Sequence, residues 1–275
     1  IIAGNVPIGA GLSSSAALTL ALTRVFAKVS NLDWDPRQMA RICQLAENQW
    51  VGVNCGIMDQ MISASGQADH VTLIDCRSLK TTPVPLPEEV RVVILDTCTR
   101  RGLVDSAYNE RRKQCEAVAS YFGKKALRDV SYKQLNEAKA KIDHTQFKRA
   151  RHVVQENERV LDCAESLRLG NLDHVGKLMN SSHKSLRDDF EVSSDALDLI
   201  VENALKAPGC YGARMTGAGF GGCAVALVET KKTEDFVKKV LKSYHSSTGK
   251  NARLYVCKPS EGTSIYTKKE FTALY

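Results

Sequence analysis

Apolar residues recur at helical spacing through Leu18, Leu22, Val25, Phe26 and Val29, which predicts a helix over about residues 14–29 with these side chains on one face. The short apolar run at residues 1–6 predicts the end of a strand. Asp35, Pro36 and Gln38 announce a second helix, with Asp as N-cap, Pro in the first turn and Gln completing a capping box. That helix turns Met39, Ile42, Cys43 and Ala46 inward and runs to about Trp50, and a shorter helix follows near residues 57–65. Strands are expected at His70–Asp75 and Val90–Asp96, separated by a turn rich in proline (Pro83, Pro85, Pro87). Residues 106–206 read as several helices with short connections. Strand patterns return at 212–215 and Cys223–Glu229, then a helix at 233–246 and a strand at Arg253–Cys257. This order predicts an α+β chain with a small antiparallel C-terminal sheet backed by helices, and a boundary near residue 97.

Composition narrows the class. The 275 residues are 43% hydrophobic and 25% charged, and no apolar run approaches the roughly 20 residues that span a bilayer. No partnership with a membrane is expected. Nine scattered cysteines form no Cys-x-x-Cys pair, which predicts reduced thiols and a cytoplasmic protein without a disulfide framework or zinc site. The net charge of +7 raises the question of nucleic acid. The basic clusters (Arg100-Arg101, Arg111-Arg112-Lys113, Lys148-Arg149-Ala150-Arg151) are short, lie near acids or on predicted helices, and lack aromatic interleaving. They read as solvated faces, so no nucleic-acid partner is expected. A mild positive field suits an anionic ligand such as a nucleotide.

The segment Pro7-Ile-Gly-Ala-Gly-Leu-Ser-Ser-Ser-Ala16 leads bare backbone into a helix start. Unpaired first-turn amides and the helix dipole favour an anion there. Gly9 and Gly11 allow close approach of backbone, and Ser13, Ser14 and Ser15 add hydroxyls that can bind phosphate or Mg²⁺. A Walker A loop is excluded, because no lysine lies between Ile1 and Lys28. A dinucleotide fingerprint fails too: Ser14 stands at its third glycine, and no acid-ending strand follows. A capped helix after a flexible turn satisfies the same spacing.

Two carboxylates, Glu47 and Asp59, lie 12 residues apart on consecutive predicted helices. Near a phosphate loop they could hold a metal and orient an attacking hydroxyl; a surface residue and a helix cap would look the same. Tyr108 taken by itself reads as a packed helix-face aromatic. Gly217-Ala-Gly-Phe-Gly-Gly222, between two apolar strands, is either a hairpin turn or a second glycine loop. His183 and Arg187 are read as surface or capping residues as readily as site residues.

The first glycine segment resembles the phosphate-binding loop of the GHMP small-molecule kinases, and within them the galactokinases. The likeness extends to Ala46-Glu-Asn-Gln49, Asn54-Cys-Gly-Ile-Met-Asp-Gln60, Leu73-Ile-Asp-Cys-Arg-Ser78, Ser106-Ala-Tyr-Asn-Glu-Arg-Arg112, Ser182-His-Lys-Ser-Leu-Arg-Asp-Asp-Phe-Glu191, Gly212-Ala-Arg-Met-Thr-Gly-Ala-Gly-Phe-Gly-Gly222 and Tyr255-Val-Cys-Lys-Pro259. The resemblance implies a two-domain fold: residues 1–97 as a partial ATP-binding domain, and 98–275 as a helical region with a ferredoxin-like antiparallel sheet. It implies ATP and Mg²⁺ as cofactors, a small-molecule sugar as substrate, and a monomer. Gly9, Ala10, Gly11, Leu12, Ser13, Ser14 and Ser15 would wrap the ATP phosphates, with Ser15 and Glu47 on Mg²⁺. Asp59 would face the anomeric hydroxyl of galactose, and Cys55, Gly56, Asp59 and Tyr108 would border the sugar. Gly217, Gly219 and Gly221 would form the second glycine loop.

Galactokinases also carry a motif of the type Gly-Arg-Val-Asn-Leu-Ile-Gly-Glu-His-Thr-Asp-Tyr, which does not occur in these 275 residues. With the start at Ile1, this leads to the expectation of an N-terminally truncated chain: an incomplete first domain, open edges beside residues 1–6 and Val90–Asp96, and no activity for the fragment alone. A non-catalytic sugar and ATP sensor and an N-acetylgalactosamine kinase stand as alternatives. The intact Ser13-Ser-Ser-Ala16 stretch favours an enzyme over the sensor.

Overall fold

The computed structural model describes residues 2–52, 55–99 and 104–266. The contacts of the chain divide into two units. One takes Ile1–Ile8, Leu12–Leu86 and Lys258–Tyr275; the other takes Gly9–Gly11 and Pro87–Cys257.

In the first unit, helices α1 (Ser14–Val29), α2 (Pro36–Ala46) and α3 (Met58–Ser65) close on Leu20, Met39, Ala40, Cys43, Ile57, Met61 and Ala64. α2 begins where local chemistry predicts: the Asp35 carboxylate accepts from the amides of Arg37 and Gln38, with Pro36 in the first turn. α1 differs from expectation. It buries Ala16, Leu20 and Ala27, while Leu18, Val25, Phe26 and Val29 of the anticipated face are exposed. The helix is apolar on both sides, so periodicity alone does not say which side packs. Residues 2–6 carry no strand. β1 (His70–Asp75) and β2 (Lys80–Pro85) form an antiparallel ribbon, so Pro83 and Pro85 lie inside a strand and not in a turn. A two-stranded ribbon leaves outward-facing positions unpaired, and a residue without an N–H is tolerated there. The chain returns late to this unit, where Gly262 N–H donates to Gly66 and Thr263 N–H to Ser63.

The second unit is built on four antiparallel strands: β3 (Val90–Asp96), β4 (Cys210–Met215), β5 (Cys223–Glu229) and β6 (Arg253–Cys257), in the spatial order β4-β5-β3-β6. Helices α8 (Asp195–Leu205) and α9 (Thr233–Thr248) pack on it around Val93, Leu95, Ile200, Met215, Phe236 and Tyr244. The sequence β3-α8-β4-β5-α9-β6 with this strand order is the ferredoxin-like split βαβ arrangement. α4 (Val104–Tyr121), α5 (Tyr132–Glu137), α6 (His144–Arg168) and α7 (Leu172–Ser185) are inserted between β3 and α8. α4, α5 and α6 share a separate core of Val118, Leu135, Phe147, Ala150 and Val154.

Two expectations change as a result. β3 has no open edge, because it pairs with β5 on one side and β6 on the other. Contacts therefore divide the chain at Leu86–Pro87, ahead of β3, and not at the expected break near residue 97. Among the described residues, no helix is long and apolar enough to cross a membrane.

Candidate active site

The glycine-rich turn before α1 has three left-handed residues in alternation: Gly9 at φ 72°, Gly11 at φ 77° and Ser13 at φ 59°. A Cβ added at Gly9 would meet nothing within 4 Å, so glycine there serves the backbone conformation and leaves open space above it. Ser13 is the N-cap residue, yet its hydroxyl makes no capping bond, and the helical ladder begins with Ala17 N–H donating to Ser13 at 3.0 Å. The capped-helix alternative thus loses its distinguishing contact, and α1 presents first-turn amides that Ser13 does not satisfy. Ser15 is exposed on that first turn. Ala10 is buried, and its carbonyl accepts from the Cys223 thiol at 3.1 Å.

Within the first unit, Glu47 opens a widened turn, Glu47–Val51, that extends α2 with i→i+5 bonding and ends where Gly52 N–H donates to Glu47 at 3.1 Å. Such widened turns recur at functional sites. Asp59 lies in the first turn of α3 and is half-buried. Cys55 lies between them in sequence. The Gln44 amide donates to the Cys55 carbonyl at 3.0 Å, the thiol donates to Asn48 at 3.5 Å, and the Gln60 amide reaches the sulfur at 3.8 Å. Burial pushes the Cys55 thiol above its ordinary range, and the negative charges of Glu47 and Asp59 push it further. Both predicted carboxylates therefore act on one point from consecutive elements, and Cys55 shares their surroundings. Gly56 is exposed beside it.

Sequence reasoning missed the amides Gln44, Asn48 and Gln60. Uncharged amides give no pattern signal, although each lies within four residues of Glu47 or Asp59. Gln60 is 2% exposed, and its Oε1 has no partner among the described residues. Among those residues no cluster of three or more His, Cys, Asp or Glu side chains gathers to hold a metal. Mg²⁺ in phosphoryl transfer uses one or two protein ligands and takes the rest from water and phosphate, so it does not require such a cluster. A hydroxyl at Ser15 and a carboxylate at Glu47 are hard oxygen donors of the right type.

In the second unit, Tyr108 is half-buried near the start of α4, and the side chains of 104–106 lie outside the described residues. Residues 217–222 form more than a plain hairpin. Gly217, Gly219, Phe220, Gly221 and Gly222 all have positive φ, and Thr216 N–H donates to Cys223 at 3.0 Å across the base of the loop. Both sides of the loop are tied down. Phe220 N–H donates to Val192 at 2.7 Å, while Gly222 accepts from Thr97 N–H at 3.1 Å and donates to Thr99 at 3.2 Å.

His183 and Arg187 separate. His183 is buried and bonds the backbone of β4; Arg187 pairs with Asp188 at the surface. Two of the basic clusters are also not simply solvated faces. Arg111, Lys148, Arg149 and Arg151 converge on residues 189–191, and Arg149 is 3% exposed. Arg100 and Arg101 lie outside the described residues.

A ferredoxin-like sheet in one unit and a left-handed glycine turn feeding a helix start define a small-molecule kinase of the GHMP type. Two family matches agree: GHMP kinases N terminal domain over residues 1–67 and GHMP kinases C terminal over residues 163–247. A galactokinase from Pasteurella multocida is 48% identical over 269 residues, spanning 96% of this chain and 70% of its own length. One from Roseiflexus is 48% identical over 267 residues, covering 95% of this chain and 68% of its own. The crystal structure of Lactococcus lactis galactokinase complexed with galactose superposes with a TM-score of 0.90 at 37% identity, over 95% of this chain and 69% of that one. The chain belongs to the galactokinase family.

Proposed function

We propose that this chain carries the machinery for ATP-dependent phosphorylation of galactose at its anomeric C1 hydroxyl, yielding α-D-galactose 1-phosphate and ADP. The observation that carries the reading is the Gly9–Ser13 turn, with its left-handed residues and helix-start amides that the Ser13 side chain does not cap, in a chain of the galactokinase family.

Backbone N–H groups from Gly9, Ala10, Gly11 and Leu12 and the hydroxyls of Ser13, Ser14 and Ser15 hold the ATP phosphates. Ser15 and Glu47 are the residues that would hold Mg²⁺, which when bound neutralises charge on the triphosphate. Asp59 orients the sugar hydroxyl and accepts its proton or stabilises its departure. Cys55 and Gly56 border the sugar, and Tyr108 donates its phenol to a sugar hydroxyl. Gly217, Gly219 and Gly221 supply bare backbone to substrate and phosphates. Nine scattered cysteines without a Cys-x-x-Cys pair suit a cytoplasmic enzyme.

The test is a phosphorylation panel on the full-length protein with galactose, N-acetylgalactosamine and mevalonate, run beside Asp59→Asn. Preference for galactose, and a rate loss of about 10²–10⁴ in the variant, are expected. Turnover confined to another acceptor would replace the substrate, and near-normal turnover of Asp59→Asn would remove the role given to Asp59.

A further inference from the structure

We propose that the Phe190–Val192 turn is a positioning element that sets the second glycine loop, held in place by three basic residues from two helices. Leu186–Phe190 is a widened turn continuing α7, and it ends at Glu191, a non-glycine residue in the left-handed region at φ 54° and ψ 50°. A glutamate has no intrinsic preference for that conformation, so surrounding contacts must hold it there.

Those contacts are unusually many. Arg149, buried on α6, donates from Nη2 to the Glu191 carboxylate at 2.6 Å and from Nη1 to the Asp189 carbonyl. Lys148 bonds the other carboxylate oxygen. Arg111, on α4, donates from Nε to the Phe190 carbonyl at 2.7 Å and from Nη2 to the Glu191 carbonyl at 3.2 Å. One guanidinium thus grips two successive peptide carbonyls, which a lysine cannot reproduce.

The next residue carries the geometry to the loop. The Val192 carbonyl accepts from Phe220 N–H at 2.7 Å, and a Cβ placed on Gly219 would lie 2.1 Å from that same oxygen. Gly219 is therefore glycine because the Val192 carbonyl occupies the space. Any shift of the turn moves the floor on which residues 219 and 220 rest. Arg111 is also three residues beyond Tyr108 on α4, so one side chain ties that helix to the turn. Arg111 and Glu191 touch no substrate in this reading; they act through residues 192, 219 and 220.

The kinetic half of the test rests on the proposed kinase activity, and the exchange half does not. Amide hydrogen exchange of the peptide covering 217–222 is followed in the full-length wild-type protein, Glu191→Gln, Glu191→Asp and Arg111→Lys. Glu191→Gln and Arg111→Lys are expected to accelerate exchange at Phe220 by about tenfold or more, with residues 195–205 of α8 unchanged. Their kcat is expected to fall by about tenfold to a hundredfold, and Glu191→Asp, which keeps the charge and tolerates the left-handed region, to recover most of both. Wild-type exchange at Phe220 in both Glu191→Gln and Arg111→Lys would overturn the inference. So would equal acceleration at 195–205, which would mark a general loss of stability. Should Glu191→Gln not fold, Arg111→Lys decides alone. A wild-type protein without galactose turnover would strike the proposed function and leave the exchange comparison intact.

Discussion

His183 accepts the Met215 backbone amide on its Nδ1 at 3.2 Å while its Nε2 lies 3.3 Å from Asp198. One helical turn earlier, the Asn180 side chain accepts from Ala213 N–H at 3.0 Å. α7 thereby supplies side-chain acceptors to β4, the edge strand of the sheet, and occupies amides that would otherwise invite another chain. The His183 arrangement requires a neutral ring, with its proton on Nε2 facing Asp198.

A pH dependence follows from His183 and His152. Burial lowers the pKa of His183, against the opposing pull of Asp198, with Arg187 and Arg214 also nearby. Burial likewise lowers His152, to about 4; its Nδ1 lies 3.1 Å from the Ser185 hydroxyl. A depressed histidine means that the unfolded chain takes up protons first, so stability is complete above about pH 6.5 and declines as pH falls toward about 4. For His152 alone the loss is on the order of 3 kcal/mol. Urea melts from pH 7 to pH 4 should show this decline. His183→Asn, which keeps an acceptor near Met215 but does not titrate, should flatten part of it while lowering stability at pH 7.

The same helix makes a steric prediction. A Cβ on Gly176 would lie 1.8 Å from the Tyr211 carbonyl oxygen, and backbone on both sides leaves nothing flexible to yield. Gly176→Ala should cost about 3 kcal/mol, against little for Gly4→Ala, where an added Cβ meets nothing within 4 Å. Thermal denaturation of the two variants side by side is the measurement. Equal melting temperatures would mean that α7 can withdraw from β4 without penalty.

What the sequence disclosed and what it hid divide along a physical line. Asp35-Pro36 marks a helix start because cap and helix are neighbours, and the structure places α2 there. The bounds of β3, β5 and β6 were legible from their apolar runs, but not the partners of β3. Val93 faces Ala226 and Val256, more than 130 residues away, and no local pattern encodes that pairing. α1 misled for a different reason: its second apolar face satisfies the same period as the one that packs. The glycine loop was readable because glycine advertises positive φ. Glu191 adopts the same backbone region without any such sign, so its role emerges only from Arg111, Lys148 and Arg149 gathered around it.

Cys55 offers a test of the carboxylate pair that needs no turnover. Its thiol is raised by burial first, with Glu47 and Asp59 adding to the rise. At pH 8 it should react with iodoacetamide more slowly than exposed Cys76. Removing either negative charge, in Glu47→Gln or Asp59→Asn, should speed alkylation at Cys55 by roughly two- to threefold, and leave Cys76 unchanged. Peptide mapping after timed alkylation reads both sites at once. An unchanged rate at Cys55 in both variants would place the two carboxylates too far from the thiol to share a site with it.

Cys223 makes the last prediction, because its thiol is the donor that secures Ala10. The bond is 3.1 Å long and joins two buried residues. Cys223→Ala leaves that carbonyl without this donor and opens a small cavity, which should cost about 1–2 kcal/mol. Because Gly9 and Gly11 flank Ala10 with left-handed backbone, the loosened peptide has unusual freedom to reorient. If the turn binds phosphates, the variant should therefore raise the KM for ATP severalfold while the KM for galactose moves little. Cys223→Ser keeps a donor on a shorter arm and should fall between the two. A Cys223→Ala protein that loses stability but keeps its KM for ATP would show that the bond holds the fold and not the loop.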